Sequence, residues 1–349
     1  MKNYRIDLSA IGRMTQIPDS QRVFGVLVSL FAERYGDQQA TSLVTDVLHK
    51  NIHFALSNLM PLGYLPTPVN YLVDCLVERD KQASGNVYVK MEQSKVEATL
   101  KQLRNEIRNR NYIGWSDIEK SLNDPMYCTT LFPYVKVQSG QQSRTSLESA
   151  RLDLPGIENK LFSVPTIEVT EVSGSQDKQI QQPVGEFCFY LQLDKENALC
   201  EKFLMMLRTV MEENQPVILG KRASQGLNVF TFRKFDEISF KSQASSDFIN
   251  LGMLLPNQIN FAASTLKLFT SERRPFHMLG GWDNNLTKQY ISFIAEGSMI
   301  NVEDEKKAVK SILSPFNPER DIVFGNAFLY PITLQKGERS NGRNQKNQV

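Results

Sequence analysis

The feature that most constrains the fold is the way the chain opens, with a short strand pattern followed at once by a long apolar helix. Apolar and polar residues alternate from Tyr4 to Ala10, which is the period of a strand with one buried face. Asp19 or Ser20 can cap the next helix, which stops near Gly36, and a second helix is predicted over residues 39–57. Strand, cap and buried helix are the opening half of a ferredoxin-like βαββαβ unit.

The same order of elements returns further along the chain. The strand pattern EFCFYLQLD precedes the helix pattern KENALCEKFLMMLRTVMEEN, and PVILG and NVFTFRKF complete a second strand–helix–strand set. We therefore predict a first domain over residues 1–240. Residues 241–335 are strand-rich and predict a smaller α+β domain, whereas the polar residues 336–349 are expected to be disordered. The predicted fold class is α+β, with two ferredoxin-like (RRM-like) domains.

A partly helical insertion is predicted within the first domain, from about residue 60 to about residue 130. Its clearest element is the amphipathic helix QSKVEATLKQLRNEIRNRNYIG, which has a basic end. Cations near a helix C-terminus are favourable in themselves. This end is therefore either a solvated helix face or a contact for RNA or a partner. Its cations are Lys101, Arg104, Arg108 and Arg110.

A long protruding hairpin is predicted after the insertion. The segments Cys128–Val137 and Lys160–Val172 alternate apolar and polar residues on either side of a polar stretch. We place the thumb-like hairpin over residues 138–163, where it carries Arg144 and Arg151. A stretch of this length without regular structure is usually either functional or disordered.

The composition excludes several classes of protein. No apolar run approaches the roughly 20 residues that a membrane helix needs, and the N-terminus has no signal-peptide core, so we expect a cytoplasmic protein without membrane contact. The 4 cysteines contain no CxxC pair, which argues against a disulfide scaffold or a zinc ribbon. The net charge is only +2, so RNA would have to be met by a local cluster of Lys and Arg.

Residues suited to catalysis are few. His49 and His53 are one helical turn apart, but Lys50 stands where the HExxH zinc motif requires Glu. There is no GxSxG nucleophile elbow. The pair Gly220–Lys221 is followed by Arg222, where a phosphate-binding P-loop needs Ser or Thr for magnesium. We expect no catalytic residue, no metal and no cofactor.

One motif does suggest binding: LGKRASQGLN, residues 219–228, between a buried strand and an aromatic strand. Glycines let the backbone approach a ligand and point successive N–H groups at one anion. Lys and Arg add a point charge and a planar fork, and Ser and Gln add neutral hydrogen bonds to phosphate or ribose. The motif predicts either a grip on the RNA backbone or a tight turn with solvated charges. Its candidate residues are Gly220, Lys221, Arg222, Ser224, Gln225 and Gly226.

This loop resembles the G-x-R/K-x-S-x-G-x-G signature of the RAMP superfamily of CRISPR RNA-binding proteins. Gly220, Arg222, Ser224 and Gly226 match, while Asn228 replaces the last glycine and Leu227 the usual aromatic residue. The stretch MTQIPDSQRVFGVLVSLFAERYG resembles the S-D-x-x-F-x-A-L helix opening of the fourth subunit of type III-A (Csm) effector complexes. The segments RRPFHMLGGW, FIAEGSMI and FGNAFLYPI resemble second-domain motifs of that subunit, whereas the insertion has no match.

The resemblance implies a non-catalytic RNA-binding subunit for antiviral defence. Such a subunit caps the 5′ handle of the guide RNA and joins the large polymerase-like subunit to the first backbone subunit, and its hairpin lies against the guide–target duplex. The loop residues would then hold handle phosphates. The other implied RNA contacts are Ser20, Gln21 and Arg22 in the same cleft, with Arg13, Arg144 and Arg151 beside them, and Leu152, Leu154 and Ile157 as apolar wedges at the hairpin.

Two alternatives stay open within the same superfamily. A metal-independent endoribonuclease that processes precursor guide RNA would need His49 or His53 as general acid or base, with Lys221 for the developing charge. A repeating backbone subunit is disfavoured by the two-domain length. Trp282 is a candidate partner contact, because aromatic residues are enriched at interfaces.

Overall fold

The computed structural model describes residues 1–83, 90–146, 160–194, 196–240, 245–273, 289–315, 318 and 321–334. It is mixed helix and strand with several antiparallel sheets, which confirms the α+β class. None of the described helices is long and apolar enough to cross a membrane. The predicted contacts Arg151, Leu152, Leu154, Ile157 and Trp282, and the tail 336–349, lie outside the described residues.

The first sheet carries the elements predicted at both ends of the first domain. These are β1 (Lys2–Ala10), α1 (Ser20–Tyr35), α2 (Asp37–Leu48), β2 (Phe54–Leu56), β3 (Met60–Pro61), and then, after an insertion described below, Glu186–Leu193, Ala198–Glu212, Pro216–Ile218 and Val229–Ile238. The prediction of a helix over residues 39–57 was wrong in its second half. The observed helix ends at Leu48, and Phe54–Leu56 form a strand.

The insertion forms a second antiparallel sheet with helices beside it. Its elements are β4 (Tyr64–Pro66), α3 (Val69–Ala83), α4 (Lys90–Asn109), β5 (Tyr112–Gly114), α5 (Ile118–Asn123), α6 (Pro125–Thr130), β6 (Tyr134–Ser146), β7 (Lys160–Gly174) and β8 (Gln179–Pro183), with the strands in sequence order across the sheet. The sheet runs on past residue 130, so the hairpin belongs to the same unit. Much of the polar stretch is regular strand, since β6 and β7 stay paired out to Ser146 and Lys160. Cys128 lies in α6 and not in a strand.

After the insertion the chain returns to the first sheet as β9 (Glu186–Leu193), α7 (Ala198–Glu212), β10 (Pro216–Ile218) and β11 (Val229–Ile238). The strand order is β10-β11-β1-β9-β2, all antiparallel, and β3 adds to β9. Strands β11, β1, β9 and β2 with helices α1 and α7 make one βαββαβ unit, as predicted. Aromatic contacts close its core, with Phe203 of α7 against Phe54 at 5.1 Å and Phe31 at 5.9 Å between ring centroids.

The second half is strand-rich, as predicted. Its elements are β12 (Asp247–Asn250), β13 (Leu268–Arg273), β14 (Gln289–Ile294), β15 (Met299–Asn301), α8 (Glu305–Ala308), β16 (Ile312–Leu313), β17 (Ile322–Val323) and β18 (Leu329–Pro331). In the described residues they form the small sheets β15-β12-β18, β13-β14 and β16-β17. A second ferredoxin-like unit therefore stays a prediction.

The two halves pack against each other through a shared core. Ile249, Leu251 and Phe328 belong to the same hydrophobic cluster as the first sheet, and Phe324 stacks on Phe24 of α1 with ring centroids 4.2 Å apart. Polar contacts reinforce the junction, because Ser20 Oγ accepts a hydrogen bond from the Met253 N–H at 2.9 Å. The start of α1 is thereby fixed to the second half.

Candidate nucleic-acid interface

The motif LGKRASQGLN, called here the glycine loop (Leu219–Asn228), joins β10 to β11 at one end of the first sheet. The Leu219 N–H donates to the Asn228 carbonyl at 2.9 Å and closes the base of the loop. The Ile11 N–H donates to the Val229 carbonyl at 2.9 Å, directly after β1. The loop therefore lies beside the segment that leads from β1 to α1, which contains Arg13.

Asn228 anchors the loop from inside. Its side chain is fully buried and its φ is +59°, a left-handed conformation that Asn tolerates better than most residues. Its Nδ2 donates to the Lys221 carbonyl at 2.8 Å and to Thr15 Oγ1 at 3.0 Å, and its Oδ1 accepts from the Thr15 N–H at 2.9 Å. Its own N–H donates to the Arg13 carbonyl at 3.0 Å. Asn228 stands where the superfamily signature has its last glycine. Its hydrogen bonds join the two ends of the glycine loop to residues 13–15.

Two glycines make this close packing possible, and a third supplies a backbone conformation that the loop needs. A Cβ on Gly220 would lie 2.8 Å from Asn228 Nδ2, and a Cβ on Gly12 would lie 2.6 Å from the Gly226 carbonyl oxygen. Gly226 has φ +72° and open space around its Cα. Gly220 is therefore needed for packing and Gly226 for its backbone conformation. Gly12 was missed by the sequence reasoning, because its partner is more than two hundred residues away in the chain.

The loop presents a row of backbone donors. Its own turn uses the N–H groups of Gln225 and Leu227, which both donate to the Arg222 carbonyl, at 3.0 and 3.4 Å. Arg222 has φ +67°, and among the described residues the successive N–H groups of Gly220, Lys221 and Arg222 have no intramolecular acceptor. Successive free N–H groups around a left-handed residue form a concavity suited to an anion.

Cations surround these donors. Arg13, Lys221 and Arg222 are exposed, and the half-buried Arg144 of β6 reaches the loop, with both Nη atoms donating to the Gln225 carbonyl at 3.3 and 3.4 Å. Within the described part of the chain none of these four side chains forms an ion pair with a carboxylate. The site therefore offers fixed backbone dipoles and unneutralised positive charge to one ligand.

The remaining predicted contacts lie in different surroundings. Ser224 is exposed, and Gln225 is half-buried, with its Oε1 at 3.5 Å from Arg222 Nη1. Gln21 and Arg22 are half-buried in the first turn of α1, where the Arg22 N–H is capped by Asp19 at 2.9 Å. Ser20 has no exposed surface and its hydroxyl serves the junction with Met253, so the structure places it in the interior and not on a cleft wall.

The candidate catalytic histidines lie at the other end of the sheet. The His53 carbonyl accepts from the Asp194 N–H beside Leu193, which pairs with Lys2, whereas the glycine loop adjoins the Ala10 end of the same strand. The length of β1 separates the two by about 25 Å at about 3.3 Å per residue. His53 Nε2 is 2.5 Å from Gln192 Oε1, and burial lowers the pKa of His53, against the opposing effect of that bond. Among the described residues no group of His, Cys, Asp and Glu could hold a metal ion.

Comparison with known proteins gives a result for the fold. No family model matches the sequence, and no curated protein matches it significantly. The structure is similar to the Csm4 chain in a crystal structure of a Csm1–Csm4 cassette in complex with cA4, with a TM-score of 0.52 and 15% identity over 97% of this chain and 100% of that one. The same cassette in complex with AMPPNP gives a TM-score of 0.51 at 16% identity with the same coverage. These similarities confirm, at the level of the fold, the resemblance first seen in the sequence motifs.

Proposed function

Because the chain has the fold of a Csm4-like RAMP subunit, we propose that it is a non-catalytic RNA-binding subunit of a type III-A CRISPR effector complex. In this proposal it works in the cytoplasm in antiviral defence. Its glycine loop holds phosphates of the 5′ handle of the guide RNA. The observation that carries the proposal is the row of N–H groups at Gly220–Arg222 that have no acceptor among the described residues, bordered by four cations that have no carboxylate partner there.

The chemistry of the loop fits RNA backbone better than a metabolite. Backbone N–H groups and arginines bind phosphate oxygens without reading bases, which suits a handle that must be held in one register. Lys221 supplies a point charge, whereas Arg13, Arg144 and Arg222 supply planar forks that match two phosphate oxygens. Arg144 comes from the β6–β7 hairpin, so the arm assigned to the guide–target duplex starts beside the proposed handle site.

The proposed partners follow from the fold. The matched structures contain Csm4 together with Csm1, and we extend that pairing to the large polymerase-like subunit of this chain's own complex. The backbone subunit is the second proposed partner. Purification of the tagged chain from cells that carry the whole complex should recover both subunits and guide RNA. Recovery of neither subunit would contradict the assignment to an effector complex.

The RNA site is tested by the double variant Lys221→Ala with Arg222→Ala in the assembled complex. The guide RNA recovered per complex should fall, and the slope of log K against log salt should decrease by about 0.7 for each lost contact to single-stranded RNA. Lys306→Ala with Lys307→Ala is the matched control, because it removes another adjacent pair of exposed cations in α8, at the histidine end of the sheet. Equal RNA binding by both double variants would contradict the loop assignment.

The endoribonuclease alternative has a direct assay. A general acid or base must lie within hydrogen-bond reach of the reacting atoms, and His53 is about 25 Å of strand away from the loop. Pure protein incubated with repeat-containing RNA in chelator should therefore leave the RNA intact. A specific cut that disappears in His49→Ala or His53→Ala would replace the scaffold function by the nuclease.

A further inference from the structure

The basic end of α4, which the proposed function leaves unused, borders a cleft between the insertion and the second half. A cavity of about 350 Å³ is lined by Asn70 and Asp74 of α3, Arg108 of α4 and Thr265. A second cavity of about 510 Å³ runs along α4, where its described lining includes Lys101, Arg104 and again Arg108. Arg108 thus belongs to both cavities, which together follow one face of the helix.

The three α4 cations share that face. Lys101, Arg104 and Arg108 are spaced by three and four residues, so they lie one above the other over about 10 Å of helix. Like charges at this spacing repel each other. Within the described residues none of the three forms an ion pair. Nearby cations of the insertion do have partners, since Arg79 pairs with Asp124 and Arg110 with Glu106.

Arg104 adds an independent observation that points to a ligand. Its Nε is buried, and the described part of the chain offers this N–H no acceptor. A buried donor without an acceptor is costly, and the cost is removed when a ligand supplies an oxygen. The described lining of the second cavity, to which Arg104 belongs, has three cations and no carboxylate, whereas the first cavity has Asp74 as well as Arg108. The positive charge along the second cavity and the buried Arg104 donor both favour an anionic oxygen ligand.

We propose that this face of α4 is a second binding site for RNA backbone phosphates. Three cations spread over about 10 Å of helix can contact neighbouring phosphates of one strand. A linear array of this kind suits a polyanion better than a single carboxylate on a protein partner. The site recognises phosphate and ribose and not base identity.

The distance between this site and the glycine loop sets the length of RNA that can use both. Tyr112, just after α4, pairs with Val135 of β6, and Arg144, nine residues further along the same strand, contacts the glycine loop. The separation is about 30 Å along the strand. An RNA strand that spans this distance can contact both sites at once, whereas a shorter oligonucleotide can occupy only one of them.

The test measures the affinity of the full chain for an oligouridine of about 25 nucleotides, which is long enough for both sites. Lys101→Gln with Arg108→Gln changes two exposed residues, so the fold should survive, which circular dichroism checks. We expect about a tenfold loss of affinity at about 0.15 M salt and a salt slope lower by about 1.4. The swap Lys101→Arg with Arg108→Lys keeps both charges and should therefore keep the salt slope of the wild type.

The inference rests on the proposed function only for the class of ligand. The experiment can therefore contradict the α4 site without contradicting the glycine-loop site, and the reverse. The α4 variant and the Lys221→Ala, Arg222→Ala variant should each weaken binding, and combining them should weaken it further. Full affinity in the α4 variant overturns the second site, whatever the loop variant does. Full affinity in the loop variant alone overturns the handle site and leaves the α4 site standing. An α4 variant that keeps RNA affinity but loses the large subunit would reassign this face to a protein and overturn the proposal.

Discussion

The two ends of β1 place charged groups in opposite situations. At the Lys2 end, here the histidine end, Lys2 pairs with Glu237, Lys307 pairs with Asp304, and His53 is bonded to Gln192. At the Ala10 end, here the loop end, the cations and the backbone donors at Gly220–Arg222 have no acidic partner among the described residues. Total charge is nearly balanced over the chain. The difference teaches that the loop end suits a polyanion because of local positive charge without acidic partners among the described residues, and not because of the net charge of the chain.

The largest expected effect is a loss of RNA affinity when the positive charges of the loop end are removed. Replacing all four loop-end cations by alanine should reduce RNA affinity by about 100-fold at about 0.15 M salt, with about 0.7 off the salt slope per contact. The variant list is Arg13→Ala, Arg144→Ala, Lys221→Ala and Arg222→Ala. Filter binding across a salt series measures both quantities. A similar loss after Lys306→Ala with Lys307→Ala would mean that the two ends do not differ.

Asn228 tests whether the loop end depends on a preformed backbone. Asn228→Ala removes the bonds to Thr15 and Lys221 and leaves a left-handed residue without Asn's tolerance, so we expect a loss of about 2–3 kcal/mol in the free energy of unfolding. Asn214 is the control, since it is exposed and also has a positive φ of 49°. Asn214→Ala should cost about 1 kcal/mol or less. Urea titration measures the free energy of unfolding of both variants. Equal losses in the two would show that the buried Asn228 side chain does not anchor the loop.

A smaller effect is expected at the glycine contact. Gly12→Ala would bring its Cβ to 2.6 Å from the Gly226 carbonyl, a backbone atom that cannot move without displacing the loop. We expect about 1–2 kcal/mol of lost stability together with weaker RNA binding. Gly25→Ala has open space on the exposed side of α1, so it should stabilise by about 0.5–1 kcal/mol. A Gly12→Ala variant with unchanged stability and RNA affinity would show that the loop accommodates this contact.

The smallest effect concerns pH. Burial holds the folded-state pKa of His53 below its usual 6.5, so the unfolded chain binds more protons there. Stability should therefore fall as the pH drops from the unfolded pKa to the lowered folded pKa, and His53→Gln should flatten that fall. RNA affinity at the loop end should not follow this titration, because His53 lies about 25 Å away along β1. A pH-dependent affinity removed by His53→Gln would connect the two ends.

Local patterns were enough to predict most elements of the first sheet, and they singled out the motif that forms the candidate site. The alternation in β1, the cap at Asp19 and the glycine loop are all written in neighbouring residues. The strand Phe54–Leu56 was missed because three apolar residues fit a helical period as well as an extended one. Such short segments are decided by the strand that pairs with them, in this case β9.

The parts of the site that escaped prediction depend on partners distant in sequence. Ser20 looked like an exposed helix start, yet Met253 covers it. Gly12 packs against the segment that contains Asn228, and Asn228 bonds to the segment that follows Gly12. The two segments come together only when β1 and β11 pair. The insertion sheet was read as an insertion followed by a separate hairpin, because pairing of Tyr112 with Val135 leaves no trace in either segment alone.

The β6–β7 hairpin sets the distance between the rest of the insertion and the glycine loop. It is held near one end by Arg144 on the Gln225 carbonyl and along its length by the Ile167 N–H on the Met14 carbonyl. Strand faces alternate with every residue, so the hairpin keeps the same side toward the loop only if it lengthens or shortens by pairs of residues. Each such step would shift the insertion relative to the glycine loop by about 6.8 Å. The spacing between the two proposed RNA sites can therefore change only by whole pairs of residues.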